Sequence, residues 1–330
     1  MKKNILLSFA TTLLLSGSLL HASALHEKQP NINMPEQTSH SYYGFYASPD
    51  KLTKQQLEHY HKIGLISKQQ MIKDELKLAT KNIAKPSKEI LDGLNATFKA
   101  MTSLKHHDLK SAETLLTTAT NLFDKALKKE PNLKLVPIDI QTVFDDHALT
   151  LENVTSIKKN ALRMVNDNQP QEAIALLSQL KNQITMDITY LPMDIYPKAT
   201  QKALDILKKG QKEAIVLPII TDALDTMVVT EITIPMPVLI AQSALTDASK
   251  FEKDKKETTT KLLNLAQKQL EIAKYEGYLT PYNTEYKVLS QDISTLKTKV
   301  SKGNVLVNDY DKIKKDFTEL FAKIHQGTKK

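Results

Sequence analysis

Three short apolar segments, each carrying proline, constrain this chain more than anything else in it. They are Leu135-Val136-Pro137-Ile138-Asp139, Leu191-Pro192-Met193-Asp194 and Ile234-Pro235-Met236-Pro237. Proline fixes φ and lacks an N–H, so a helix cannot run through them. Each reads as an extended connector that turns the chain into the next helix, and its apolar character predicts burial. Around them helical patterns dominate. Leu91, Leu94, Phe98 and Met101 recur at steps of three and four, the stripe of an amphipathic helix.

The stretches between connectors repeat one plan, helix, turn, helix. His107-Asp108 leads into Ala112 and Leu115-Leu116; Asn168-Gln169-Pro170 leads into Ala173 and Leu176-Leu177; Lys209-Gly210 leads into Ala214 and Leu217. A fainter copy runs from Asp254 to Leu262-Leu263. Ala112, Ala173 and Ala214 lie 61 and 41 residues apart, an irregular period near that of helical-hairpin repeats. The predicted class is all-α, either an irregular helical-hairpin array of tetratricopeptide or α-solenoid type or an irregular helical bundle. Local punctuation agrees: Ser67 can cap a helix running to Ala84, Pro86 suits the first turn of the next, and Gly303-Asn304 ends a late one.

The N-terminus reads as an export signal. Met1-Lys2-Lys3 precedes an apolar run from Ile5 to Leu20 and then Ala22-Ser23-Ala24, the small-x-small pattern of signal peptidase. Cleavage after Ala24 is expected, giving a periplasmic protein without membrane insertion. Residues 25–50 read as a flexible leader, polar apart from Tyr42-Tyr43-Gly44-Phe45-Tyr46. Residues 51–300 form the helical domain, and residues 301–330 a C-terminal helix with a polar tail.

Composition removes several functions. There is no cysteine, hence no disulfide, thiol nucleophile or thiolate metal site. The net charge of +8 is nearly all lysine, with Arg163 the one arginine. Nucleic-acid readers lean on arginine forks, so nucleic acid is not an expected partner. No P-loop, dinucleotide fingerprint, nucleophile elbow, paired-histidine zinc helix or EF-hand occurs, and neither a cofactor nor a metal is expected. His106-His107-Asp108 is a turn in which Asp108 caps the following helix.

Several of these segments together resemble the YfdX family of exported helical bacterial proteins. The resemblance rests on Leu135-Val136-Pro137-Ile138-Asp139, on Leu191-Pro192, on Leu224-Asp225-Thr226-Met227-Val228-Val229-Thr230-Glu231 running into Ile234-Pro235-Met236-Pro237, and on Ala273-Lys274-Tyr275-Glu276-Gly277-Tyr278. It covers roughly residues 70 to 300. The resemblance implies a helical fold, the periplasm and an envelope or acid-stress role, and it transfers no catalytic residue.

The remaining candidates are acids in apolar surroundings: Asp139, Asp194 and Glu231 on the connectors, with His147 and Arg163 as titrating or pairing neighbours. Such a carboxylate is either an exposed cap or a buried group needing compensation, whose protonation in mild acid would loosen the array. Tyr190, Tyr196, Tyr275 and Tyr278 could line a cavity between hairpins, with core packing as the plainer use. The leading expectation is a non-enzymatic binding or stress-protective protein acting on envelope proteins or small molecules, with self-association into a homo-oligomer open. A small-molecule binder is the second reading. A hydrolase built on Asp139, Asp194, Glu231 and His147 is the third.

Overall fold

The structure, a computed structural model, describes residues 65–147, 149–251, 256–305 and 307–327. The stretches read as an export signal (residues 1–24) and a leader with an aromatic cluster (residues 25–50), together with residues 51–64, lie outside the described residues. Among the described residues, eleven α-helices and three strands follow in chain order. They are α1 (Lys68–Thr80), α2 (Lys88–Lys105), α3 (Leu109–Lys129), β1 (Leu135–Asp145), α4 (Leu151–Asn166), α5 (Pro170–Leu177), β2 (Gln183–Pro192), α6 (Tyr196–Lys208), α7 (Glu213–Leu224), β3 (Val228–Pro235), α8 (Met236–Phe251), α9 (Lys256–Glu276), α10 (Asn283–Lys302) and α11 (Val307–Gly327). The chain is thus mostly helical, as its periodicity predicts.

Local chemistry sets the helix ends. Asp108 accepts the Ser111 N–H at 3.0 Å and caps α3. Thr150 and Asn153 form a reciprocal capping box at α4. His107 and Asn168 take left-handed φ of 61° and 58° just past α2 and α4, the helix-ending conformation that glycine takes at Gly210 and Gly303. Two boundaries differ from the sequence reading. Helix α1 stops at Thr80 rather than Ala84, and α2 starts at Lys88 behind the cap residue Ser87, leaving Pro86 before the cap.

The three proline segments do more than connect. They pair as one antiparallel sheet in the order β1-β2-β3, with a helical pair inserted at each crossing. Each proline sits where the ladder can spare an N–H: Pro137 at a register shift before Asp139, Pro192 and Pro235 at strand ends. The sheet joins the hairpins α2–α3, α4–α5 and α6–α7 through the strands that connect them, a feature that a simple stacked array would not have.

Alternation gives the sheet two unlike faces. Ile140, Ile184, Met186, Ile188 and Ile234 point into the largest core, packed with α1 and α8 to α11. A second cluster joins α2, α3, α6 and α7 through Leu104, Leu116, Leu204 and Ile220. In the α2–α3 contact, a Cβ placed on Gly93 would lie 3.1 Å from the Phe123 ring, so glycine lets the two helices close.

Candidate functional site

The other face of the sheet is polar. Gln141, Asp187 and Glu231 stand in one row across β1, β2 and β3, and Asp139 is opposite Thr189 in the adjoining row. Asp139, Asp187 and Glu231 are half-buried. Gln141 donates to Asp139 at 3.1 Å and Thr233 to Glu231 at 2.9 Å. At the end of this face Asp145 is opposite Gln183 and meets Lys181 at 3.0 Å.

Behind this end lies a buried polar junction. The Tyr278 hydroxyl donates to Gln183 Oε1 at 2.9 Å and accepts the Asn182 N–H at 3.1 Å. The Asn182 carbonyl accepts the Met236 N–H, and its side-chain oxygen accepts the His147 N–H. One asparagine thus joins the end of β1, the start of β2, the start of α8 and the segment after α9.

Glu276, the last residue of α9, is buried at this junction with 5% of its surface exposed. Neither carboxyl oxygen makes a hydrogen bond of normal geometry. Burial pushes its carboxyl up to about 8, against the opposing pull of the Asn182 side chain and the Lys158 charge. Burial, then the charge of Glu276 and those of Asp145 and Glu231, pushes the Tyr278 phenol far above its ordinary range. Three carboxyl groups therefore act on one hydroxyl. Lys158 of α4 donates to the Tyr275 carbonyl at 2.6 Å, and burial lowers its ammonium.

Two further buried charges tie α1 down. The Ser67 N–H and hydroxyl donate to Asp247 of α8 at 2.8 and 2.5 Å, and Lys250 reaches both Asp247 and Ser67. Lys68 meets Asp146 at 2.7 Å with both side chains 2% exposed, and burial lowers Lys68 to about 8 despite that partner. Glu75 is pushed up to about 7 by burial, and then by the charge of Asp74, with its carboxyl 3.9 Å from His325 of α11. Burial lowers His325.

The residues singled out in sequence do not all meet. Asp139 and Glu231 share the polar face, while Asp194 is exposed beyond one end of β2 and His147 is exposed beyond the other. A strand of ten residues spans roughly 30 Å, so the four do not form one catalytic group. Arg163 is exposed on α4. The tyrosines are dispersed too. Tyr196 packs edge-on against Phe123 in the core, Tyr190 packs against the largest core, Tyr275 is exposed, and Tyr278 holds the polar junction. Sequence reading passed over Glu276, Asp187, Asn182, Glu75 and Asp247. Glu276 at least stands in the Tyr275-Glu276-Gly277-Tyr278 segment that carries the family resemblance.

Among the described residues no helix is long and apolar enough to cross a membrane, and no three acidic or histidine side chains are placed to hold a metal ion. No curated protein matches the chain. A solved structure described as Salmonella Typhi YfdX aligns with a TM-score of 0.31 and 14% identity, over 45% of this chain and 91% of that one. A family model described as YfdX protein matches residues 94–232. The matched stretch runs from α2 into β3 and includes Asp139, Asp187 and Glu231 of the polar sheet face, so over residues 94–232 the chain is similar to the YfdX family.

Proposed function

We propose that this protein is an exported, non-enzymatic YfdX-type protein that protects envelope partners in mild acid. The pattern at residues 1 to 24 supports export to the periplasm, and the scattering of Asp139, Asp194, Glu231 and His147 favours binding over hydrolysis. One observation carries the acid-related reading: Glu75 and Glu276 are carboxyls buried in the fold without full compensation.

Each keeps a proton in the folded chain at a pH where the unfolded chain has released it. The stability it contributes is present below its ordinary value of 4.5 and is lost as pH rises to about 7 for Glu75 and about 8 for Glu276. His325 acts in the opposite sense. Its folded value is lowered, so its contribution is present above 6.5 and lost as pH falls through that lowered value. Lys68, lowered to about 8 from 10.5, changes stability only above this range. Glu75 and Glu276 therefore favour the fold most in mild acid, where a protective role would be exercised.

The test is light scattering of an acid-labile client protein at mildly acidic and mildly alkaline pH, with and without the purified protein. Suppression of aggregation on the acid side is expected. No suppression at either pH, together with no partner captured from the envelope, would refute this reading.

A further inference from the structure

Two of the three hairpins end together, away from the sheet. Helices α2–α3 and α6–α7 meet the sheet at one end, where Leu135 is opposite Pro192, Tyr190 is opposite Val228 and the Met193 N–H donates to the Lys134 carbonyl. A helix rises about 1.5 Å per residue, so the turns at residues 106–108 and 209–212 lie about 20 Å further out. His107 of the first turn meets Glu213, just past the second, at 2.9 Å, and the helices behind them share one core cluster. The two tips therefore form one surface.

Charge is divided unevenly between the two ends. Lys105 and Lys110 flank the first turn, Lys208, Lys209 and Lys212 surround the second, and all five are exposed. Among the described residues none of the five forms an ion pair. The acids at these turns are engaged within the protein, since Asp108 accepts the Ser111 N–H and Glu213 meets His107. At the sheet end Lys88 pairs with Asp92, Lys125 and Lys129 pair with Glu89, and Asp194, Asp222 and Asp225 are exposed.

The start of α7 gives an independent indication. This helix carries no lysine or arginine, and it exposes Ile215 at 49%, with Ala214 and Pro218 exposed on either side in sequence. Ile215 follows Lys212 by three residues, so an apolar side chain is exposed beside the basic ones. Lysines alone would suit any polyanion, but a free phosphate would leave Ile215 in water. A surface with an anionic layer over an apolar one meets both. We propose that the paired hairpin tips dock on an anionic phospholipid surface, with the lysines among the headgroups and Ile215 at the acyl boundary. Such adsorption is reversible, falls with salt and needs no spanning helix. The inference does not rest on the protective role.

The experiment is co-sedimentation of the purified protein with phosphatidylcholine vesicles, with and without phosphatidylglycerol, at low salt. Binding only where phosphatidylglycerol is present is expected. The triple variant Lys208→Gln, Lys209→Gln, Lys212→Gln should bind about tenfold or more weakly. A matched triple variant, Lys125→Gln, Lys128→Gln, Lys129→Gln, removes the same charge from the sheet end and should bind as the parent does. Ile215→Ser should weaken binding several-fold, and circular dichroism checks that every variant is folded. Absence of binding, equal binding to both vesicles, or equal loss in the two triple variants overturns the proposal. Unchanged binding in Ile215→Ser also overturns it, by reassigning the tips to soluble polyanions.

Discussion

Two junctions in this protein bury a carboxyl group against a helix end, and they do so at opposite ends. Asp247 sits at the N-terminus of α1, where it accepts the Ser67 N–H and hydroxyl and pairs with Lys250. Glu276 sits at the C-terminus of α9, where free backbone groups are carbonyls and cannot donate. The helix field favours a negative charge at the first and opposes it at the second. Similar burial therefore has contrary consequences: one carboxyl is stitched into the fold by donors, and the other holds a proton because burial outweighs the pull of Asn182 and Lys158. Burial alone does not decide what an acid does; the helix end beside it does.

The largest effect expected from this contrast is at Asp247. Asp247→Ala removes the charged acceptor of two Ser67 donors and leaves the half-exposed Lys250 to water, so unfolding in urea should show a loss of about 1.5–3 kcal/mol. A loss below about 1 kcal/mol would mean that the α1 junction adds nothing beyond an ordinary hydrogen bond, and the contrast would fail. Glu276→Gln should behave oppositely. It retains the shape of the proton-bearing acid, so it should leave stability near pH 5 little changed and raise it at pH 8. Wild-type stability should fall between 4.5 and about 8 by about 1.4 kcal/mol per pH unit at most from this group, and the variant should lose that slope. Thermal melts across pH decide it, and an undiminished slope in the variant would assign the titration elsewhere.

Much of the helical fold is legible in the sequence because its signals are local. Asp108 lies beside its own helix, and the turn at Asn168-Gln169-Pro170 states its geometry within three residues. The prolines at 137, 192 and 235 announce extended chain equally well. They do not announce a sheet, because the partners of β1 and β2 lie a helical pair away and only the register reveals their two faces. The site is legible in part for the same reason. Glu231 stands out among apolar neighbours and lies on the polar face, while Tyr278, a candidate by residue type, holds the buried junction behind its end. Glu276 follows Lys274 and Tyr275 in the last turn of a helix and reads as a solvated end, while its burial comes from Asn182 and α4, far away in sequence. Asp247 is invisible for a similar reason, since its partner Ser67 is 180 residues away.

The Tyr278 hydroxyl tests whether the α9 junction is held by neutral hydrogen bonds rather than by charge. Tyr278→Phe keeps the ring but leaves Gln183 Oε1 and the Asn182 N–H without that partner, for an expected loss of about 1–3 kcal/mol. That loss should be nearly the same at pH 5 and pH 8, because the phenol stays protonated throughout. A strongly pH-dependent loss would show that Tyr278 governs the Glu276 proton instead of sharing its surroundings.

Glu75 gives the finest division of the comparison, because it is a buried acid inside a helix rather than at either end. It lies in the middle of α1, so the helix field neither favours nor opposes it much, and burial leads its upward shift with Asp74 adding to it. Its carboxyl is 3.9 Å from His325, too long for a hydrogen bond. Glu75→Gln should therefore remove a smaller part of the pH slope than Glu276→Gln, and only the part between 4.5 and about 7. The histidine supplies an internal control. Glu75 holds its proton below about 7, so it is neutral where His325, lowered below 6.5 by burial, takes up its own, and Glu75→Gln should leave the His325 titration by NMR where it was. A His325 titration that moves in Glu75→Gln would show that the two groups share a proton across the α1–α11 contact, and the pH dependence at this end of the molecule would then belong to the pair rather than to Glu75 and Asp74.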